Sequence, residues 1–574
     1  MSKSEKENTV VKQKHPVGLY LLFVTEMAER FSYYGMRAIF ILYLTNAFYN
    51  DDIASEIYGS YTGLVYLTPI LGGWIADRYW GNNRSIIFGG ILMAIGHFLM
   101  FISACFVKQA KYSLEGQIDP KVDNNLSLYI MFAGLFLLIF GNGFFKPNIS
   151  TMVGDLYPTN ANLKDSAFTI FYMGINVGGF FAPLVCGSLG NGSWKNPRDF
   201  KWGFFSAGVG MVLSIVVFAF FKSKYLITPD GLKIGLPPKE SELRKEKNEM
   251  QKLEAADDKK DESDENLMVK SEKIDIKEEE EEEEKEEEPV EKIKNSPLRL
   301  IISILIGIGI AAIFVIKSEN YTDYISAIIY STTVALPIFI ITDRNLTKIQ
   351  KHRIGVVYIV AIFVIFFWCA YEQAGSSLTL FAEKNVNNKI FGYDIPASFY
   401  QSINPVAVIV FAPVMAYIWE FLGKRKLEPS SPTKQAIGLI LLGIGYVIIS
   451  YAVHGVQEND KISMIWLFLL YIIHSIGELS LSPIGLSMVN KLAPVQLASL
   501  LMGIWLMSSS AANIFSGDLA ALLPSPNAKP KVFLGFEITT LTRFFSIFSV
   551  MSLVSAALLL ALCPLLKKMM HGIK

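Results

Sequence analysis

Four charged residues lie inside the first long apolar stretch of this chain. They stand in the string Glu26-Met-Ala-Glu29-Arg30-Phe-Ser-Tyr33-Tyr34-Gly-Met-Arg37. On a helix, residues three or four apart share a face. Glu26 therefore meets Glu29 and Arg30, Arg30 meets Tyr33 and Tyr34, and Tyr33 meets Arg37. An ionisable side chain deep in an apolar span costs about 2.5–3.5 kcal/mol on insertion scales, so it usually faces a partner or a watery cavity. The stripe reads as the wall of a polar cavity. The rival reading is a structural ion-pair ladder between helices, for which so many charges and two phenols are excessive.

Three more stretches repeat the pattern. Lys146 stands in Gly143-Phe-Phe-Lys146-Pro147-Asn148, where the proline frees a backbone carbonyl one turn earlier. The rival for Lys146 is snorkelling to the membrane interface. Further on, Trp368 and Glu372 are i,i+4 neighbours in Trp368-Cys-Ala-Tyr371-Glu372-Gln373. His474, Glu478 and Ser482 succeed one another at the same spacing before Pro483. Two carboxylates in the second half need cations, and the first half has Arg30, Arg37 and Lys146. Bridges between the halves that break and re-form would make a gate. A carboxylate protonated in place of its bridge would couple that gate to protons. His97 and His454 have no such neighbours and read as packing residues.

The rest of the chain supplies the elements that must hold these charges. Of its 574 residues 52% are apolar and 18% charged, against about 25% charged in soluble proteins. The mean hydropathy is +0.37. A formal net charge of zero hides two unlike parts: residues 239–296 carry 24 acidic and 13 basic residues, and the remainder 28 acidic and 39 basic. Stretches long enough to span a bilayer number fourteen. Six fall at about 17–45, 57–79, 84–107, 127–153, 166–189 and 201–221. A close pair follows at about 298–316 and 322–342, then six at 353–379, 397–421, 433–453, 463–489, 498–522 and 541–566.

This predicts an all-α integral membrane protein of two six-helix bundles with an inserted hairpin facing lipid. The expected organisation is a tail at 1–15, a bundle at 16–222, an acidic disordered linker at 223–296, the hairpin at 297–343 and a second bundle with its tail at 344–574. Lys and Arg gather in alternate connections, such as Arg78 and Arg84, Arg344 to Arg353, Lys424 to Lys434, and Lys567 to Lys574. That bias puts both termini and the acidic segment in the cytoplasm. The run Glu278–Glu284 stays solvated and is read as a tolerant linker rather than a docking tail. Cys105, Cys186, Cys369 and Cys563 have no pairing or metal spacing and read as small core residues. No signal peptide precedes the first stretch.

These strings resemble the proton-dependent oligopeptide transporter family of the major facilitator fold. Glu26 to Gly35 resembles the family's E-x-x-E-R-F-x-Y-Y-G pattern. Gly72 to Gly81, Phe168 to Phe180, Phe145 to Asn148, Glu372-Gln373, Gln401 to Pro405 and Glu478 to Pro483 fit in the same order. The resemblance implies roles. Arg30 and Lys146 would lie near a peptide carboxylate, with Tyr33, Tyr34 and Tyr66 in the same cavity. Glu478 would receive the amino group and exchange partners with Lys146. Asn176 and Asn404 would bond the peptide ends or amide, and Trp368, Trp505 and Ser509 would line side-chain pockets. Glu26, Glu29 and Arg30 would carry the coupling proton, and Arg37 with Glu372 would form a bridge that protonation weakens. Animal members carry a histidine where Gly59 stands, and some bacterial members a second acidic residue where Tyr371 stands, so any relay here rests on the carboxylates.

The implied activity is proton-coupled import of di- and tripeptides across a bacterial inner membrane, by a monomer with no cofactor and no nucleic-acid partner. The same fold carrying nitrate or another small metabolite, and a peptide sensor signalling through the acidic segment, are the alternatives. A membrane enzyme is the weakest reading, because no metal motif or nucleophile–base set converges in either half.

Overall fold

The computed structural model describes residues 15–48, 50–107, 124–157, 161–190, 199–228, 231–238, 240, 298–316, 318, 321–456, 460–494, 497–525 and 530–573. Its helices are α1 (Val17–Ala47), α2 (Asp51–Leu67), α3 (Pro69–Ile75), α4 (Gly81–Phe106), α5 (Asn125–Asp155), α6 (Ala161–Gly190) and α7 (Phe200–Tyr225) in the first half. A hairpin of α8 (Leu298–Ile316) and α9 (Tyr321–Ile341) follows. The second half holds α10 (Lys348–Tyr371), α11 (Ser377–Asn385), α12 (Ile403–Lys424), α13 (Ser431–Ala452), α14 (Met464–Leu492), α15 (Ala498–Ala520) and α16 (Leu541–Met569). Three short two-stranded ribbons cap one end, the end that holds the α1–α2 connection. We call this end the far face, and the end where α1 begins the near face.

Among the described residues, twelve helical stretches are long and apolar enough to cross a bilayer. The fourteen expected spans do not map onto them one for one. Asp51–Phe106 is one of the twelve, a run of 56 residues where two spans were expected, but it is not one rod: Gly81, at φ 71°, turns the chain, and Gly72 and Gly89 meet α5 at Gly143 and Gly141. The 31-residue α1 is not among the twelve, and it is the helix that carries Glu26, Glu29, Arg30 and Arg37.

Packing explains the pairing of helices. In the first half α1 lies against α6 and α7, and α4 against α5. In the second, α13 lies against α14 and α16, and α10 against α15. The halves meet along α2 and α15, where glycines let two backbones touch. A Cβ at Gly59 would sit 2.8 Å from the Asn513 carbonyl oxygen and 2.8 Å from the Gly517 Cα. Ser510 Oγ donates to the Gly63 carbonyl at 2.6 Å in the same seam. Gly59→Ala should therefore destabilise the protein by about 1–3 kcal/mol through overpacking. A lower melting temperature in detergent would record it; an unchanged one would mean that the seam is loose.

The hairpin sits on the outside of this seam. Only 6% of the apolar window of α8 is buried, against 22% for α9. Ile329 of α9 packs on Ala511 and Ile514 of α15 and on Leu64 and Leu67 of α2. Thr322 donates to Glu56 of α2 at 3.1 Å.

One boundary differs from the sequence reading. The chain after α7 does not become linker at once. Leu226 and Ile234 are buried, and Ile227 bridges Lys233 in an antiparallel turn. The Asn83 amide N–H donates to the Gly235 carbonyl at 2.9 Å, and its side chain donates to the Ile234 carbonyl at 2.8 Å. The turn thereby docks on the start of α4. Apolar Leu226, Ile227 and Ile234, with glycines to turn the chain, supply contacts that the neighbouring lysines conceal in a composition average. The acidic run itself lies outside the described residues.

Candidate functional site

A cavity of about 310 Å³ lies between the halves. Each wall is one helical face. From α1 come Glu26, Arg30, Tyr34 and Arg37; from α5, Lys146 and Ser150; from α6, Tyr172, Ile175, Asn176, Gly179 and Pro183. The second half adds Trp368, Tyr371, Glu372 and Gly375 around the end of α10, and Gln401, Asn404 and Pro405 at the start of α12. Tyr471, His474, Glu478, Leu481, Ser482 and Leu486 come from α14, and Trp505, Leu506 and Ser509 from α15. Tyr66 completes the lining from the end of α2.

Thirteen of the residues singled out in the sequence thus share one cavity. Two do not reach its wall. Glu29 is fully buried behind Arg30, and Tyr33 is 3% exposed with its hydroxyl making no hydrogen bond among the described residues. The α1 stripe is too wide for one wall. At about 100° per residue, Glu29 and Tyr33 sit roughly 95° and 55° from the middle of the arc formed by Glu26, Arg30, Tyr34 and Arg37. Their expected contact with the cavity is replaced by contact with Arg30: Glu29 by ion pairing, and Tyr33 by its ring, 5.4 Å from the guanidinium.

The charges fall into two paired groups and two single ones. Arg30 Nε lies 2.9 Å from Glu26 Oε1 and 2.5 Å from Glu29 Oε2. Its Nη2 is buried with no hydrogen-bond partner among the described residues. Asn142 approaches Glu29 Oε1 at 3.5 Å. Nearer the far face, Arg37 Nη2 pairs with Glu372 Oε2, and Arg37 Nε donates to the Tyr58 hydroxyl at 2.6 Å. Both side chains of that bridge are under 10% exposed. Gly375 makes it possible, since a Cβ there would strike the Tyr58 hydroxyl and crowd Arg37.

Lys146 and Glu478 make no ion pair within 4 Å among the described residues. The ammonium of Lys146 stands 4.3 Å from the centre of the Tyr66 ring, so it points into the cavity and does not snorkel. Glu478 Oε2 accepts the Tyr371 hydroxyl at 2.5 Å and the Asn404 amide at 2.8 Å. The expected Lys146–Glu478 exchange is therefore not a contact in this arrangement. Asn176 spends one amide hydrogen on the Tyr172 carbonyl of its own helix at 2.9 Å.

Apart from the α2–α15 seam, the named polar links across the halves gather at the far face. Besides Arg37–Glu372, Asp51 pairs with Lys384 and Asp52 with Lys531. Ser402 donates to the Phe180 carbonyl at 2.8 Å, and Ser398 lies against Gly187. The cavity is sealed there. Towards the near face its wall continues through Ser150, Ser482, Leu506 and Leu486, the last 38% exposed.

Sequence reasoning gave Tyr172, Gln401, Tyr371 and Tyr471 no role in the cavity, although Tyr172 and Gln401 stand in the family-like strings. Helical spacing could have found them. Tyr172 is four residues before Asn176, Tyr371 three after Trp368, and Tyr471 three before His474. Phenols carry no charge and raise no alarm in an apolar span.

Comparison with known proteins agrees with this architecture. The chain is 31% identical to the uncharacterized transporter YclF of Bacillus subtilis (strain 168), covering 97% of this chain and 96% of that one. It is 29% identical to the peptide transporter YePEPT of Yersinia enterocolitica and 28% identical to the di-/tripeptide transporter of Lactococcus lactis subsp. cremoris. The matches cover 97% of this chain, 96% of YePEPT and 97% of the Lactococcus protein. The solved structure of a peptide transporter POT in complex with sulfate superposes with a TM-score of 0.71 at 28% identity, over 97% of this chain and 96% of that one. That of a POT family transporter in complex with 5-aminolevulinic acid gives 0.69 at 28%, over 96% and 97%. These relatives are transporters, not enzymes, and residues 83–535 match the sequence profile of the POT family. The chain belongs to the POT family of membrane transporters.

Proposed function

We propose that this protein imports di- and tripeptides together with protons, alternating between two cavity openings. The observation that carries this is the pair of single charges. Every other charge on the cavity wall has an opposite partner, leaving one ammonium, Lys146, and one carboxylate, Glu478. A small peptide is a zwitterion, with one end for each. The unpartnered Arg30 Nη2 adds a donor on the cation side.

Charge balance supplies the coupling. Glu26, Glu29, Glu372 and Glu478 against Arg30, Arg37 and Lys146 leave one excess negative charge in a buried region. A peptide adds none. Lys146 lies within electrostatic reach of Glu26 and Glu29. Once a peptide carboxylate claims Lys146, the Glu26–Glu29–Arg30 group carries an uncompensated charge, and a buried charge without a partner is costly. A proton on Glu26 or Glu29 removes it, so proton and peptide bind best together. Protonation of Glu372 would release Arg37 and loosen the far face.

The near face is cytoplasmic in this reading, following the basic connections, and the described arrangement is closed to the outside.

The test is uptake of labelled dialanine into proteoliposomes with and without an inward acid gradient, with Glu26→Gln alongside. Wild type should concentrate dialanine only with the gradient. Glu26→Gln should lose gradient-driven uptake yet keep peptide exchange at equal pH. Absence of dialanine uptake by folded wild-type protein would move the cargo to another small metabolite.

A further inference from the structure

Glu478 carries its two hydrogen bonds on one oxygen. Tyr371 and Asn404 both address Oε2, at 2.5 and 2.8 Å. Oε1 has no protein donor among the contacts of the described residues. The arrangement is braced. Asn404 also donates to Ser475 Oγ at 3.0 Å and lies against the Tyr371 hydroxyl. The Tyr371 ring is locked by Phe367, stacked at 5.6 Å, and by Trp368, edge-on at 5.2 Å. A carboxylate offers two oxygens and about four lone-pair sites, so both donors on one oxygen is a choice made by the surroundings.

We propose that Tyr371 is a positioning residue for recognition of the substrate's amino end. It ties down Oε2 of Glu478 so that Oε1 alone is presented to the cavity. This rests on the peptide reading above and adds a determinant to it. The ammonium then meets a carboxylate oxygen of fixed direction, with no side-chain rotation to freeze on binding. Removing the hydroxyl frees the carboxylate to rotate about its terminal torsion, which is intrinsically broad, and leaves Asn404 as its only brace. The ring packing survives in phenylalanine, so Tyr371→Phe removes only the hydroxyl, with its bond to Glu478 and its contact with Asn404.

The experiment compares dialanine with propionyl-alanine, which keeps the carboxylate and amide and lacks the ammonium. Michaelis constants and maximal rates are measured in proteoliposomes, with propionyl-alanine as the competitor. In Tyr371→Phe the Michaelis constant for dialanine should rise about tenfold, the magnitude of one hydrogen bond to a charged group. Its maximal rate should stay within about twofold, and the inhibition constant of propionyl-alanine should not move. The ratio between the two ligands is the decisive readout, because a merely structural role would weaken both alike. Equal weakening, or no change for dialanine, overturns the proposal. Asn404→Leu removes the other donor from the same oxygen and should shift the ratio in the same direction, which keeps the test alive if Tyr371→Phe folds poorly. A wild type that binds neither ligand would defeat the peptide reading itself, and this proposal with it.

Discussion

Lys146→Gln should raise the Michaelis constant for dialanine about a hundredfold. Lys146 is the only cation on the cavity wall without a carboxylate partner within 4 Å among the described residues, and its ammonium stands over Tyr66 inside the cavity. Losing it removes the partner of a substrate carboxylate. It also deepens the negative excess left by the four glutamates, so the anionic end of a peptide is now repelled. Truncating one member of a desolvated charge pair costs about 2–5 kcal/mol, and a hundredfold corresponds to about 2.7 kcal/mol. Glutamine is one atom shorter than lysine but forms helix about as well, so the helix with its internal Pro147 should survive, as a melting curve would check. Uptake kinetics within threefold of wild type would return Lys146 to a structural part. Restoration by Lys146→Arg would show that charge, rather than the shape of the ammonium, is what counts.

The second large effect concerns the far face. Glu372→Gln should open it. The Arg37–Glu372 bridge joins α1 to the end of α10 across 335 residues of chain and is almost wholly buried. Breaking a buried pair from one side costs about 3–5 kcal/mol, because it strands the other charge. Arg37 recovers that cost only by reaching water, which requires the far face to part. A closed-to-open equilibrium biased by that amount shifts by a factor of about a hundred or more. Ser398 reports on it. It is fully buried against Gly187, where the two halves meet. A cysteine at position 398, with Cys105, Cys186, Cys369 and Cys563 replaced, should react slowly with a membrane-impermeant maleimide. In Glu372→Gln it should react at least tenfold faster. Equal rates in both backgrounds would mean that Asp51–Lys384, Asp52–Lys531 and the α2–α15 seam hold the face shut without the bridge. Gly375→Ala, which pushes on Tyr58 and Arg37 from the same turn, should give an intermediate rate.

Much of this site was legible in the residues. Charges at helical spacing inside apolar spans could only face one another or water, and six of them, Glu26, Arg30, Arg37, Lys146, Glu372 and Glu478, converge on one cavity. The pairing was less legible. That Arg30 takes Glu26 follows from their i,i+4 spacing. That it also takes the adjacent Glu29 does not, since neighbours in the chain point about 100° apart on a helix. That Arg37 takes Glu372 does not, because residues so far apart in the chain meet only through the packing of two bundles. Neither does the position of Glu478, held by a phenol and an amide rather than by Lys146. Glu29 and Tyr33 were misplaced for a calculable reason: an i,i+3 step falls short of a full turn by about 60°, so successive steps carry a stripe around the helix and off the wall.

The sequence by itself determined the class of molecule, the helical faces and the identity of the charges, because hydropathy and a period of 3.6 residues are local properties of the chain. It also carried the family motifs in order. Tertiary structure decided which face is closed, which charges cancel and which two are left over. It also decided that the chain after α7 folds back on α4 and that α9 covers the α2–α15 seam. These depend on backbone approaches at Gly59, Gly63 and Gly375 and on phenols aimed into the cavity from five helices. Close approach and direction are properties of packed bundles, and no local pattern encodes them.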